Sequence, residues 1–190
     1  MILVSGLPAT GKTTFSEWLS SEICIPLLSR DRVLEKYVEI AKVHCEYEEQ
    51  RGNVADNIPA VFLGHSIPAL LFWFFCEEIM KSSSALIIET VFTNQMKETI
   101  GNLIEKYKYQ TVNVHLDASV EIKRHRINER SPNKKISLEN LKKAHESEKI
   151  KDAKNFRYGN CIIYVDTTDF SMVSYKDISE QIRQFILRNV

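Results

Sequence analysis

The chain has 190 residues, 44% of them hydrophobic and 26% charged, a length and balance that suit one domain with a core of its own. Its 25 basic side chains are matched by 25 acidic ones, so no global field recruits DNA, RNA or an anionic membrane, which leaves only a local basic groove as a route to nucleic acid. Cys24, Cys45, Cys76 and Cys161 form no CxxC pair and, like His44, His65, His115, His125 and His145, no metal spacing; they read as reduced thiols and ordinary polar residues.

In chain order, "ILVS" (2–5) reads as a buried strand and "TTFSEWLSSE" (13–22) as a helix. "CIPLLS" (24–29) is an imperfect second strand, and 31–49 has helical spacing through Val33, Tyr37, Val38 and Ala41. Residues 54–80 are expected to be largely helical with proline breaks. The stretch 58–78 is apolar enough to suggest a membrane span, but Pro59, Gly64, His65, Ser66 and Pro68 interrupt it. Its unbroken run of about ten residues falls short of the roughly 20 a spanning helix needs, so a buried helix is expected. The opening "MILV" is too short for a secretory leader, and a cytoplasmic location is expected.

"ALIIET" (85–90) reads as a strand followed by a helix over about 94–107, and "TVNVHLDA" (111–118) as a strand followed by a helix over 119–130. "SPNKK" is a loop, 137–156 a charged amphipathic helix, 161–168 the last strand, and a helix over about 175–189 closes the chain. Strands alternating with helices predict an α/β fold, a parallel sheet covered on both faces. Ligands of such sheets gather outside the carboxyl ends of the strands, here after Ser5, at Ser29–Asp31, at Glu89–Thr90 and after Asp166.

The first of these places carries the most specific pattern. Gly6-Leu7-Pro8-Ala9-Thr10-Gly11-Lys12-Thr13 satisfies G-x-x-x-x-G-K-[ST], with a strand before it and a helix after it. Backbone N–H groups turned inward by such a loop, continued to Thr14, make a concave anion site to which the helix N-terminus adds partial positive charge. Lys12 is then expected to reach the β- and γ-phosphates of ATP, and the Thr13 hydroxyl to ligate Mg²⁺. A GTPase requires a base-reading N-K-x-D element, and the nearest run, "NKKI" at 133–136, lacks the aspartate. The length suits a compact kinase better than a large motor ATPase.

Three further strand ends supply candidate chemistry. Asp31, opening a helix after the second strand, is placed either as a general base for a hydroxyl acceptor or as a plain helix N-terminal aspartate. Glu89 is placed to hold the metal through water or to hold a substrate hydroxyl, or it is an exposed strand-end acid. Arg126 and Arg130 stand at i and i+4, one turn beyond Lys123; they are either arginines that close over transferring phosphate, Arg126 first, or a solvated face paired with Glu121 and Glu129.

Taken together, "GLPATGKTTFSEWL", "LLSRDRVLE", "LIIETVF", the paired arginines and "VDTTD" resemble the small P-loop kinases that include polynucleotide 5′-hydroxyl kinases, the zeta-toxin group, and antibiotic and sugar kinases. The resemblance runs over about residues 1–170, although only the cradle is highly specific. It implies a five-stranded sheet ordered 2-3-1-4-5, Asp31 as the base, and a lid at about 124–136 carrying the arginines. It also implies that the loop at Asp166–Asp169 lies beside the adenine. The chain departs from the polynucleotide kinases at Leu34, where they tend to carry an arginine, and from its relatives generally at Glu89, where an aspartate is usual.

Residues 34–80 are expected to choose the acceptor within a single 1–190 domain. Arg51 is the only arginine in that region, which favours a neutral hydroxyl acceptor over a phosphate-bearing one. Phe72, Trp73, Phe74 and Phe75 point round a helix, so most belong to a core or an interface. The expected activity is therefore ATP- and Mg²⁺-dependent transfer to a hydroxyl. The alternatives are a polynucleotide 5′-hydroxyl kinase and an ATP-binding regulatory module.

Overall fold

The computed structural model describes residues 1–50, 66–130 and 136–188. The strands are β1 (Ile2–Gly6), β2 (Leu27–Ser29), β3 (Ile87–Glu89), β4 (Val112–Asp117) and β5 (Cys161–Asp166). All neighbouring pairs run parallel, in the order β2-β3-β1-β4-β5. The helices are α1 (Lys12–Ile23), α2 (Arg30–Gln50), α3 (Ser66–Ser82), α4 (Lys97–Tyr107), α5 (Val120–Arg130), α6 (Leu138–His145), α7 (Glu148–Lys154) and α8 (Tyr175–Arg188).

Strand alternation divides the apolar side chains between two cores. Ile2, Val4, Val114, Leu116, Ile163 and Val165 face α1 and α8, meeting Phe15, Leu19 and Ile182. Leu3, Leu86 and Ile88 face the opposite side, where Phe72, Cys76, Ile100 and Phe156 cover them. The second face changes character across the sheet. On β1 and β4 it carries Ser5, Asn113 and His115; the Ser5 hydroxyl donates to Asn113 Oδ1 at 2.7 Å and is hydrogen-bonded with His115 Nδ1 at 2.9 Å.

Two expected elements are shorter than their sequence patterns. Cys24 adopts a left-handed conformation (φ 55°) and closes α1 through its N–H on the Ser20 carbonyl, and Ile25 bonds the same carbonyl. The chain is still leaving that helix at 24–26, so β2 begins only at Leu27. The single helix expected over 137–156 is two. Ser147 is extended (φ −61°, ψ 143°) and its carbonyl accepts the N–H groups of Ile150 and Lys151, which restarts the chain as α7. The expected helical stretch 54–80 falls partly outside the described residues, as does Arg51; from Ser66 it is α3. Within α3, Phe72 is buried, whereas Phe74 and Phe75 are exposed. Among the described residues no helix is long and apolar enough to cross a membrane.

Candidate active site

The loop between β1 and α1 is held in its curve by close neighbours on both sides. Gly6 has φ 138°, and a Cβ there would stand 2.2 Å from the Leu116 carbonyl oxygen. Gly11 has φ 83°, and its Cβ would fall 2.1 Å from Cζ of Phe170. Only a residue without a side chain fits either place. Between them Ala9 also takes a positive φ, 63°. The Leu7 carbonyl accepts from the Thr10 hydroxyl and from Lys12 Nζ, both at 2.9 Å, so the lysine lies folded across the loop it serves.

Lys12 is buried, and burial pushes its pKa down from the usual lysine range; Glu89 and Asp31 oppose that shift, and Arg130 adds to it. The charges of two carboxylates and one arginine therefore act on a single ammonium group. β3 sits between β1 and β2, so Glu89 pairs in register with Val4 on one side and Ser29 on the other. Its carboxylate is 1% exposed rather than the surface acid its position at a strand end allowed. The Ser29 hydroxyl donates to Oε2, while Oε1 has no hydrogen-bond partner among the described residues. Burial raises the Glu89 pKa, with Ser29 and Lys12 pulling the other way.

Asp31 stands in the first turn of α2, exposed, with its charge felt at both Lys12 and Glu89. Arg32 beside it is committed elsewhere, pairing with Glu17 of α1. Thr13 and Thr14 begin α1 and are not fully buried.

The paired arginines of α5 separate into different environments. Arg130 is near enough to Lys12 to disfavour its charge. Arg126 donates to the carbonyls of Ala9 (3.2 Å) and Thr167 (2.6 Å), and its guanidinium carbon lies 4.6 Å from the centre of the Phe170 ring. Arg126 is thus bonded to the loop and to the end of β5, whereas Arg130 acts on Lys12 through its charge. Lys123, below them, is buried and bonds Asp117 at 2.8 Å, anchoring α5 to β4.

Phe170 was not among the residues singled out in the sequence, and Thr167 only as part of the loop 166–169. Thr167 is fully buried, and its hydroxyl donates to the Thr10 carbonyl at 2.6 Å, which ties the β5 end to the cradle. The signal available was an aromatic at the end of "VDTTDF", where the acids were more conspicuous. Those acids serve their own turns: Asp166 accepts from the Thr168 N–H, and Asp169 from the Ser171 N–H and hydroxyl. His115, beneath the cradle, is driven by burial to a pKa of about 4 and is neutral at physiological pH.

A family model described as an AAA domain matches residues 1–149, and the chain belongs to that family. A candidate kinase from Chloroflexus aurantiacus superposes with a TM-score of 0.71 at 21% identity, covering 100% of this chain and 96% of that one. A gluconokinase from Sinorhizobium meliloti gives 0.55 at 12% identity, with 96% and 94% covered. A shikimate kinase from Aquifex aeolicus gives 0.51 at 18% identity, with 99% and 96% covered. The fold, with the sheet order observed above, is that of small P-loop kinases.

Proposed function

We propose that this protein is a phosphotransferase that moves the γ-phosphate of ATP onto the hydroxyl of a small acceptor, with Mg²⁺. The observation that carries the reading is the strand register that sets Glu89 beside Val4 of β1 and against Ser29, with Asp31 two residues beyond Ser29, while the charges of Glu89, Asp31 and Arg130 all act on Lys12. A cradle alone is satisfied by binding. Two carboxylates and a second cation at its γ end are the groups phosphoryl transfer needs.

The residues suit a hard cation. Thr13 offers a hydroxyl, and Glu89 offers a buried carboxylate oxygen without a hydrogen-bond partner among the described residues, a costly arrangement that an oxygen-seeking ion or its water relieves. When bound there, Mg²⁺ neutralises charge on the β- and γ-oxygens. The backbone of residues 6–14 and Lys12 hold the phosphates. Asp31 accepts the proton of the acceptor hydroxyl as its oxygen bonds to the γ-phosphorus and the bond to the β-phosphate oxygen breaks, releasing ADP. Arg130 offsets charge gathering on the transferring oxygens. Arg126 holds the cradle from its far side.

A small acceptor is favoured by the names of the gluconokinase and shikimate kinase that share the fold. The polynucleotide reading loses support because Arg32 is paired with Glu17 and residue 34 is leucine. Transfer of label from γ-labelled ATP to polyols, sugars, hydroxy acids, aminoglycosides and a 5′-hydroxyl oligonucleotide tests the proposal. Mg²⁺-dependent transfer to one of these classes, lost in Asp31→Ala, is expected. ATP binding with no transfer to any of them, and hydrolysis unchanged in Asp31→Ala, favours a regulatory module instead.

A further inference from the structure

Thr167 joins three parts of the molecule from a fully buried place just past the end of β5. Its N–H donates to the Asp117 carbonyl of β4 at 2.8 Å, and its own carbonyl accepts from Arg126 of α5 at 2.6 Å. Its hydroxyl lies 2.6 Å from the Thr10 carbonyl oxygen and 3.0 Å from that of Asp117. A hydroxyl has one proton to give, and the shorter contact takes the larger share of it.

The Thr10 carbonyl belongs to the same peptide as the Gly11 N–H. In a planar trans peptide the two groups point in opposite directions, so a carbonyl held towards Thr167 turns the N–H away from β5. That N–H has no hydrogen-bond partner among the described residues. The preceding peptide is different: Arg126 holds its carbonyl, that of Ala9, at 3.2 Å, but its N–H, that of Thr10, is turned back onto the Leu7 carbonyl. Glycine accepts φ of either sign at little cost, so Gly11, at φ 83°, does not by itself decide which way its peptide faces. A side chain would restrict that choice, yet the Phe170 ring fills the place its Cβ would take. The orientation is therefore set from outside the loop.

We propose that Thr167 is a positioning residue for the donor's phosphates, its hydroxyl keeping the Gly11 N–H turned outward to an anion by holding the Thr10 carbonyl behind it. The proposal rests on the triphosphate reading of the cradle and deepens it. Thr167 itself touches no phosphate. Without its hydroxyl the Thr10 carbonyl loses its buried donor, the peptide is free to rotate about Gly11, and one charge-assisted hydrogen bond is withdrawn from the anion.

Titration calorimetry with the Mg²⁺ complexes of ATP and of inorganic tripolyphosphate tests this on the whole chain, on Thr167→Val and on Thr167→Ser. Valine keeps the branched shape and loses the hydroxyl; serine keeps the hydroxyl and loses the methyl group. Expected is a loss of about tenfold in the valine variant, equal for the two ligands, with serine within about threefold of native. Thr167→Ala carries the same expectation where valine does not fold. In isotope-labelled protein the Gly11 amide resonance is expected to move when tripolyphosphate is added to the native and serine forms, and to stay in place in the form lacking the hydroxyl. A loss of stability alone does not produce that difference. Unchanged affinity without the hydroxyl overturns the proposal, as does a Gly11 amide that responds alike in every form; either result makes Thr167 a prop for the fold. Serine falling as far as valine assigns the effect to packing, and a loss confined to ATP assigns it to the nucleoside, and each overturns the proposal too. Failure of both ligands to bind the native protein overturns the cradle reading itself, and this proposal with it.

Discussion

On the proposed reading the cradle has a γ end, beside Lys12 and Glu89, and a base end, beside Thr167 and Arg126, and the two use the same loop in contrasting ways. At the γ end the neighbours are charged and not fully satisfied: a buried lysine, a buried glutamate with a free oxygen, and an exposed aspartate. At the base end the neighbours are bonded to the loop or packed on it, with Thr167 and Arg126 gripping the carbonyls of Thr10 and Ala9 and Phe170 resting on Gly11. Chemistry that moves charge needs the first kind of environment, because groups with unmet electrostatic demand respond when charge develops beside them. A loop that must keep its shape needs the second, where every donor has a partner and movement costs hydrogen bonds.

If the contrast holds, substitutions at the γ end damage turnover and those at the base end damage affinity or stability. The largest effect is expected from Lys12→Ala, with phosphoryl transfer reduced by at least about 100-fold in a γ-label assay, because its buried ammonium lies across the loop itself. Asp31→Asn comes next, lowering acceptor-dependent turnover by about 100-fold while the ATP dissociation constant stays within about threefold; equal losses in both mean that Asp31 is a binding residue. Gly11→Ala is expected to cost roughly 1–3 kcal/mol in urea unfolding, since the added methyl group meets Phe170 at a positive φ. Relief of that loss in Gly11→Ala/Phe170→Ala ties it to this contact.

The smallest effect concerns pH. Burial holds the Glu89 carboxyl above the ordinary glutamate range in the folded protein, so it favours the protonated form there. The stability this supplies is complete below the unfolded value and is lost as pH rises through the raised folded value. Glu89→Gln removes the loss and is expected to gain about 1 kcal/mol over native protein in metal-free buffer above that window, with no gain below it. Added Mg²⁺ stabilises the native protein and not the variant. A gain of the same size at every pH assigns the effect to packing instead.

The local patterns were legible where a short run of residues specifies its own geometry. The cradle is such a run, because its glycines, lysine and threonine work within one turn of chain, and so is "ALIIET", whose apolar run ends in the acid that now stands beside Lys12. The break at Ser147 was illegible because helical spacing continues through it, and the late start of β2 because the apolar run "CIPLLS" begins at Cys24; in each place a single residue's backbone angles decide the outcome. The burial of Glu89 was hidden for another reason. Its strand lies between two others, and that position depends on crossovers far away in sequence.

The sequence by itself determined the phosphate cradle, the alternation of strands and helices, and the set of acids and arginines from which a γ-phosphate site is drawn, since each follows from spacing along a single element. Only the tertiary structure decided how those groups are shared. It set Arg130 near Lys12 and Arg126 against Phe170, gave Arg32 to Glu17, and brought Thr167 onto Thr10. The physical reason is that charge–charge and stacking contacts act over a few ångströms of space, and residues 15 to 157 positions apart become neighbours only when the parallel sheet gathers its strand ends at one edge.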